Sequence, residues 1–488
     1  MNDYREKSLM TMINRVRAGL LLLTFLAAFA GAAPRQPGDI MAQVDDVVRA
    51  EMQRQKVPGV ALGIVSKGKV IAAKGYGYAN VELSVPVTAE TIFQSGSVGK
   101  QFTATAVMLQ VEDGKLALDD SITKYFTDAP PSWRPITVRN LLTHTSGIPD
   151  YETEAANVGG GVQVVDYRRD YTEDEMTKIA YGMPLKFAPG SRWSYSNTGY
   201  VLLGILIHKV SGRFYGDVLK DRVFTPLGMK TARVISEADI VPHRAAGYRL
   251  LNGELKNQEW VSPSLDSTAD GSLYLSMLDF IAWDRGLRAH AVLKARSWAQ
   301  IYTPVTLTSG KPYPYGFAWD VDESQGQPWY HHGGSWQGFR TFISRYLADD
   351  LTIVVLTNLA DADPDRFVDG VARVLDPRLA QIEPSTPIPD SEPLIASRVR
   401  ALLAAASGGK LSAQDLSFAQ GEAAQQAKEF EQLLHPLGAL RRLDLLDRRV
   451  LGDDRASTYA AVYADRTLRV QIALAPDDRI SDFSVQPE

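Results

Sequence analysis

Two apolar runs dominate the hydrophobic pattern of this chain. Phe102, Ala104, Ala106, Val107, Met108, Leu109 and Val111 cover most of a helical circumference, so they predict a buried helix that stops at Gly114. Tyr200 to Val210 predicts a second buried helix ending at Gly212. Around them the periodicity changes. An amphipathic helix over Met41–Gln55 leads to Pro58 and to two strand-like runs, Val60–Ser66 and Lys69–Gly77, hinged at Lys67-Gly68 as a hairpin. Leu116–Thr127 and Pro131–Pro135 form a connector, and Ile136–Gly147 holds a short helix. Residues 152–190 read as an irregular insertion with a helical segment at Glu173–Tyr181, and Pro189–Tyr200 reads as a tight loop. Farther on, Tyr313–Trp319 predicts a strand, while Thr341–Leu347 and Leu351–Asn358 alternate as a hairpin about Asp349-Asp350.

A break follows. Glu383 to Pro393, EPSTPIPDSEP, is proline-rich and polar, which marks a semi-rigid linker at residues 383–393. Behind it, helical stretches at Leu394–Ala406 and Leu411–Leu434 precede strand-like runs near Arg441–Leu446, Thr458–Tyr463, Thr467–Ala475 and Ile480–Val485. Helices followed by an antiparallel meander predict a small α+β domain over 394–488, set apart from a larger body over 34–382.

Composition narrows the chemistry. A net charge of −5 over 488 residues offers no basic face for nucleic acid. The chain has no cysteine, which excludes disulfides, thiolate metal sites, a cysteine nucleophile and a lipid-attachment cysteine. Arg15 and Arg17 precede the apolar run Ala18–Ala33, which ends in small residues at A-x-A spacing. Residues 1–33 therefore read as a secretory signal, and the body as periplasmic or secreted with no membrane span after cleavage.

The candidate chemistry sits where a Ser- and Gly-rich turn enters the first buried helix. Ser97 and Lys100 are three apart and so share a helix face. An isolated S-x-x-K is more often an N-cap beside a solvated lysine, but a buried helix does not carry an unpaired ammonium cheaply. Ser97 would also lie at a helix N-terminus, where a developing oxyanion is favoured. GSVGK is not a phosphate loop, because Gln94 stands where the first glycine belongs and Gln101 follows the lysine. Tyr195 and Asn197, two apart in the tight loop, can project into one cleft. His144 reads as a structural hydrogen bonder, and adjacent His331 and His332 point to opposite strand faces, which disfavours a metal.

Three fragments thus stand in order: Ser97-Val-Gly-Lys100, Tyr195-Ser-Asn197 and His332-Gly333-Gly334. Together with LLTHTSGIPDY (141–151), PGSRWSYSNTGY (189–200) and HGGSWQGF (332–339), they resemble the serine β-lactamase and penicillin-binding-protein superfamily, in its class C-related esterase or D,D-peptidase-like branch. The likeness runs from about Met41 to Pro377. It implies an α/β (α+β) fold, an antiparallel sheet flanked by helices with a helical subdomain. It also implies roles: Ser97 as acylated nucleophile, Lys100 and Tyr195 sharing proton traffic, and Asn197 holding substrate or the Lys100 amine. His332 and Gly334 would line the substrate edge, and the N–H groups of Ser97 and Ser335 would form the oxyanion hole. Tyr195 could act as a base only if a cation, Lys100, lowered its pKa.

The resemblance further implies no metal or cofactor and a small-molecule or peptide substrate. The expected activity is that of an exported serine hydrolase working through a Ser97 acyl-enzyme on an ester or amide, of carboxylesterase or D-amino-acid peptidase type. The alternatives are a β-lactamase or a non-catalytic penicillin- or peptidoglycan-sensing protein. His332 stands where the β-lactamase branch has lysine, so uncharged esters or amides should be favoured over penicillins, with carboxylate preference growing as pH falls toward 6. The C-terminal domain resembles the accessory domain, cystatin-like or NTF2-like in shape, appended to periplasmic members of this family; it shows no catalytic constellation, so a packing or substrate-gating role is expected.

Overall fold

A computed structural model describes residues 37–152, 156–158, 161–163, 165–380, 385–411 and 430–487. The expected signal segment and most of the expected Leu411–Leu434 helix lie outside these residues.

The body is built on a seven-stranded antiparallel sheet. Helix α1 (Pro37–Gln55) leads into β1 (Gly59–Ser66), β2 (Lys69–Asn80) and β3 (Val85–Pro86). The β1–β2 hairpin turns at Lys67 and Gly68, both with positive φ, the geometry that matches strand twist in a two-residue turn. The buried helices follow as α2 (Lys100–Glu112) and α3 (Asn197–Ser211), then α4 (Met277–Arg288). The chain returns to the sheet as β4 (Asp320–Ser324), β5 (Gln327–Trp336), β6 (Phe339–Tyr346) and β7 (Leu351–Thr357), and α5 (Pro364–Leu375) closes the body. The strand order is β4-β5-β6-β7-β1-β2-β3.

Alternation along the central strands explains the layers. Val60, Leu62, Ile64, Ile353 and Val355 face one side, where Val44 and Val48 of α1 and Phe367, Val368 and Val371 of α5 cover them. Ala61, Ile343, Val354 and Leu356 face the other side and join the larger core formed with α2, α3 and α4. β7 is buried at every position because both faces are covered.

The expected strand over Tyr313–Trp319 is not formed. Pro312–Tyr313 pairs with Val305–Thr306, and Tyr315 makes an isolated bridge to Asp320. Pro314 lacks a donor, Ala318 adopts positive φ, and the Gly316 N–H donates to the Trp319 carbonyl at 2.8 Å, so the segment folds into a turn before β4.

Beyond the body, α6 (Pro393–Ser407) packs on a four-stranded antiparallel meander, β8 (Arg442–Leu451), β9 (Asp454–Val462), β10 (Thr467–Leu474) and β11 (Ile480–Pro487). Val399, Leu403, Leu445, Tyr459, Val470 and Phe483 form a core of their own. The described part of the proline-rich segment, 385–393, is held in place. Ile388 N–H donates to the Leu445 carbonyl at 2.8 Å, and Asp390 pairs with Arg448 at 2.8 Å, which lays the segment along this sheet. The sheet docks on the body through Arg192–Asp454 at 3.4 Å and Lys311–Asp453 at 3.1 Å, and Gly452 sits against Leu307 and Tyr313. Among the described residues, no helix is long and apolar enough to cross a membrane.

Candidate active site

Ser97 lies in a 3-10 turn, Gly96–Gly99, that runs directly into α2. Close backbone approach holds this turn. A Cβ on Gly334 of β5 would lie 2.2 Å from the Ser95 carbonyl and 3.0 Å from the Ser97 nitrogen, and one on Gly96 would lie 2.3 Å from the Ser335 nitrogen. Only glycine fits at 334 and at 96, where φ is also positive. The Thr341 hydroxyl donates to the Ser95 carbonyl at 2.6 Å, and Ser95 Oγ donates to the Gly271 carbonyl at 2.8 Å. The backbone nitrogens of Ser97 and Ser335 therefore meet at one contact between nucleophile turn and sheet edge.

Lys100 is fully buried, and its amine is engaged on three sides. Nζ donates to Ser97 Oγ at 3.0 Å, to Asn197 Oδ1 at 2.6 Å and to the Asp270 carbonyl oxygen. Burial pushes the amine below the ordinary lysine value, against the opposing pull of Asp270, Glu152 and Asp150. A neutral amine has two N–H donors and one lone pair. In that state it would keep Asn197 and Asp270 as acceptors and receive the Ser97 hydroxyl proton.

Asn197 opens α3, and its N–H donates to Asp150 Oδ2 at 2.8 Å, an acid placed at a helix N-terminus. Glu152 N–H donates to Asp150 Oδ1 at 3.0 Å, and the Tyr151 hydroxyl donates to Asp270 Oδ2 at 3.0 Å. Half-buried Glu152 is pushed up to about 8, by burial first and then by Asp150 and Asp270.

Tyr195 lies beside this cluster, with its ring 4.9 Å from Lys100 Nζ. Its Oη is shielded from solvent and meets no partner at ordinary hydrogen-bond geometry, although Ser97 stands near enough to draw its proton affinity down. Burial outweighs that pull and raises the phenol well above its ordinary value. The expectation that Lys100 lowers the Tyr195 pKa is thus corrected: desolvation acts on both groups, lowering the lysine and raising the phenol.

His332 is also corrected. It is buried, its Nδ1–H donates to the Gly333 carbonyl at 2.6 Å, and Nε2 accepts from the Tyr315 hydroxyl at 3.0 Å. Burial pulls it down to about 3, so it gains no charge between pH 8 and 6. His331 points to the other face, where it meets Asp322 at 3.2 Å. His144 is structural as expected, since its Nδ1 accepts the Ser196 N–H at 3.1 Å under the Tyr195 ring.

The structure brings Ser97, Lys100 and Asn197 into one hydrogen-bonded cluster, with Tyr195 at its edge and Gly334 and Ser335 against the nucleophile turn. Sequence reasoning missed Asp270, Asp150, Glu152 and Tyr315. Asp150 was within reach, being part of LLTHTSGIPDY, whereas Asp270 serves through a backbone carbonyl 170 residues from Lys100 and leaves no local signal.

Residues 44–376 match the family described as Beta-lactamase. The chain is 30% identical over 318 residues to Penicillin-binding protein 4* of Bacillus subtilis, covering 60% of this chain and 68% of that protein. It is 28% identical over 324 residues to a D-aminopeptidase of Gluconobacter oxydans, covering 65% and 59% respectively. Among solved structures, the octameric penicillin-binding protein homologue of Pyrococcus abyssi superposes over 92% of this chain and 98% of that one, with TM-score 0.60 and 24% identity. A D-amino acid amidase of Ochrobactrum anthropi, complexed with L-phenylalanine amide, superposes over 70% of this chain and 99% of that one, with TM-score 0.59 and 24% identity. Family match, fold and motif order agree: the chain is a serine hydrolase that belongs to the Beta-lactamase family.

Proposed function

We propose that the protein is an exported hydrolase that cleaves an ester or amide through an acyl-enzyme on Ser97, with carboxylesterase or D-amino-acid peptidase specificity. The observation that carries this reading is the buried Lys100 amine held between Ser97 Oγ and Asn197 Oδ1. In acylation, Ser97 Oγ attacks the carbonyl carbon while its proton passes to the neutral Lys100 amine. The oxyanion is received by the N–H groups of Ser97 and Ser335. The leaving nitrogen or oxygen takes a proton from the Tyr195 phenol, which is replenished from Lys100, as the bond to carbon breaks. Water then enters and the same groups run in reverse to release the acid.

Two features support an amino-acid amide or peptide over a simple ester. Asp150 and Asp270 both pull on the Lys100 amine, which suits a substrate with an ammonium next to the scissile bond, and Asp150 lines the cleft. Relatives named D-aminopeptidase and D-amino acid amidase agree in substrate class. Neutral His332 disfavours β-lactams, which carry a carboxylate.

The test combines labelling with turnover. A fluorophosphonate followed by peptide mass mapping should modify Ser97, and D-alanine p-nitroanilide should be cleaved faster than its N-acetyl form and faster than a chromogenic cephalosporin. Labelling without turnover of any ester or amide would favour the sensing protein instead.

A further inference from the structure

We infer that Arg449, on the open face of the C-terminal sheet, is a specificity residue that receives a carboxylate at the far end of the substrate. The inference rests on the ester- and amide-hydrolase reading and deepens it.

A cleft of about 770 Å3 lies beside Tyr195 and Asn197, and it has two walls. One comes from the body, where Trp193 stacks on Tyr313 with ring centroids 4.5 Å apart. The other is the C-terminal sheet. Leu445, Tyr459, Val470 and Phe483 point into that sheet's own core, so strand alternation turns their neighbours to the opposite face. Asp447, Arg449, Ala456, Thr458, Ala473 and Asp482 are on that face, and all line the cleft.

Register makes the face specific. Arg449 is paired with Ala456, Ala456 with Ala473, and Ala473 with Asp482. One row thus crosses four strands, roughly 14 Å at the usual strand spacing, with small side chains in the middle and opposite charges at its ends. Two alanines leave a floor on which a short extended ligand can lie.

The cations along this cleft are not equivalent. Arg192 is held by Asp454, Arg479 by Asp477 at 2.6 Å, and Lys186 has a partner of its own. Arg449 is exposed and pairs with no carboxylate among the described residues, although Asp447 shares its face two positions along β8. The motif strand supplies no cation, because His332 is sealed between Gly333 and Tyr315. Arg449 is therefore the cation left to hold a substrate carboxylate, and two ion pairs hold its sheet against the body.

The test uses the full-length chain, its Arg449→Ala and Arg449→Lys variants, and a D-alanyl dipeptide with a free or an amidated C-terminus. Each peptide is measured as substrate and as competitor against fluorophosphonate labelling of Ser97, with a p-nitrophenyl ester as neutral reference. Arg449→Ala should weaken the free-carboxylate peptide about tenfold or more, through KM, leave the amidated peptide and the ester within about twofold, and be partly restored by lysine. Equal protection by the two peptides in the unmodified protein, or an equal loss for both in Arg449→Ala, removes the role of Arg449 while Ser97 still labels. Absence of any adduct on Ser97 in the unmodified protein would instead remove the hydrolase reading, and this inference with it.

Discussion

The nucleophile turn and the C-terminal sheet, which lines a cleft beside Tyr195 and Asn197, are built on opposite plans. Around Ser97, glycine backbones touch at distances that exclude a side chain, and the three sides of the Lys100 amine are all engaged. On the C-terminal face, alanines leave space and Arg449 stands without an ion partner among the described residues. Tight packing preorganises the bond-breaking groups, because a catalytic constellation loses rate when it is displaced by even 1 Å or so. The open wall can change without disturbing that geometry, so the proposed function assigns the chemistry to one region and the choice of substrate to the other.

The comparison breaks most sharply at Gly334. Gly334→Ala places a methyl 2.2 Å from the Ser95 carbonyl, which is backbone and cannot swing away. Labelling of Ser97 should fall by about a hundredfold or more, the scale on which misplaced catalytic groups cost rate. A near-normal labelling rate in a folded variant would mean that the close approach does not position the nucleophile.

Tyr195→Phe removes the shielded phenol and leaves its ring contacts with His144 in place. The expected loss in kcat/KM is on the order of a hundredfold, the usual size of lost proton-transfer help. It should be larger for an amide than for a nitrophenyl ester, whose leaving group needs no proton. Equal losses for both would remove the phenol from leaving-group protonation.

On the open side, removal of residues 384–488 should leave a body that still labels at Ser97, since the two regions have separate cores. Preference for the free-carboxylate peptide over the amidated one should fall about tenfold, in line with the loss of one charge-assisted contact. Aggregation of the shortened chain would show that the docking surface is part of the body's stability.

The smallest effect is a flat line. His332 is held near 3 whereas Glu152 is held near 8, so His332→Gln should change the pH dependence of the ratio of carboxylate to neutral substrate by less than about twofold between pH 8 and 6. Stability carries the sign instead. The unfolded histidine binds its proton at about 6.5, so the unfolded state takes up protons first and stability falls as pH drops from there toward 3. His332→Gln should flatten that part of a pH-denaturation profile; an unchanged slope would place the acid sensitivity elsewhere.

Much of this was legible in the chain. The spacing of Ser97 and Lys100 on an apolar helix called for a buried lysine, and the structure buries it fully. The β1–β2 hairpin, the helix closed by Gly212 and the C-terminal meander follow from turn residues and periodicity that act over a few positions. What escaped depends on distant partners. The Asp270 carbonyl and the Tyr315 hydroxyl reach their groups only after folding, and the direction of the Tyr195 and His332 shifts depends on how completely water is excluded. The facing of the C-terminal sheet toward the cleft was equally hidden, because docking between two cores leaves no period in either sequence.

The central claim is that a buried, neutral Lys100 activates Ser97. It is tested most directly by the rate of fluorophosphonate labelling at Ser97 from pH 6 to 10, in the unmodified chain and in Lys100→Gln. The rate should rise with pH to a plateau reached below the ordinary lysine value of about 10.4, and Lys100→Gln should label about a hundredfold or more slowly with no such rise. A Lys100→Gln protein that labels at the unmodified rate with the same pH profile would contradict the account.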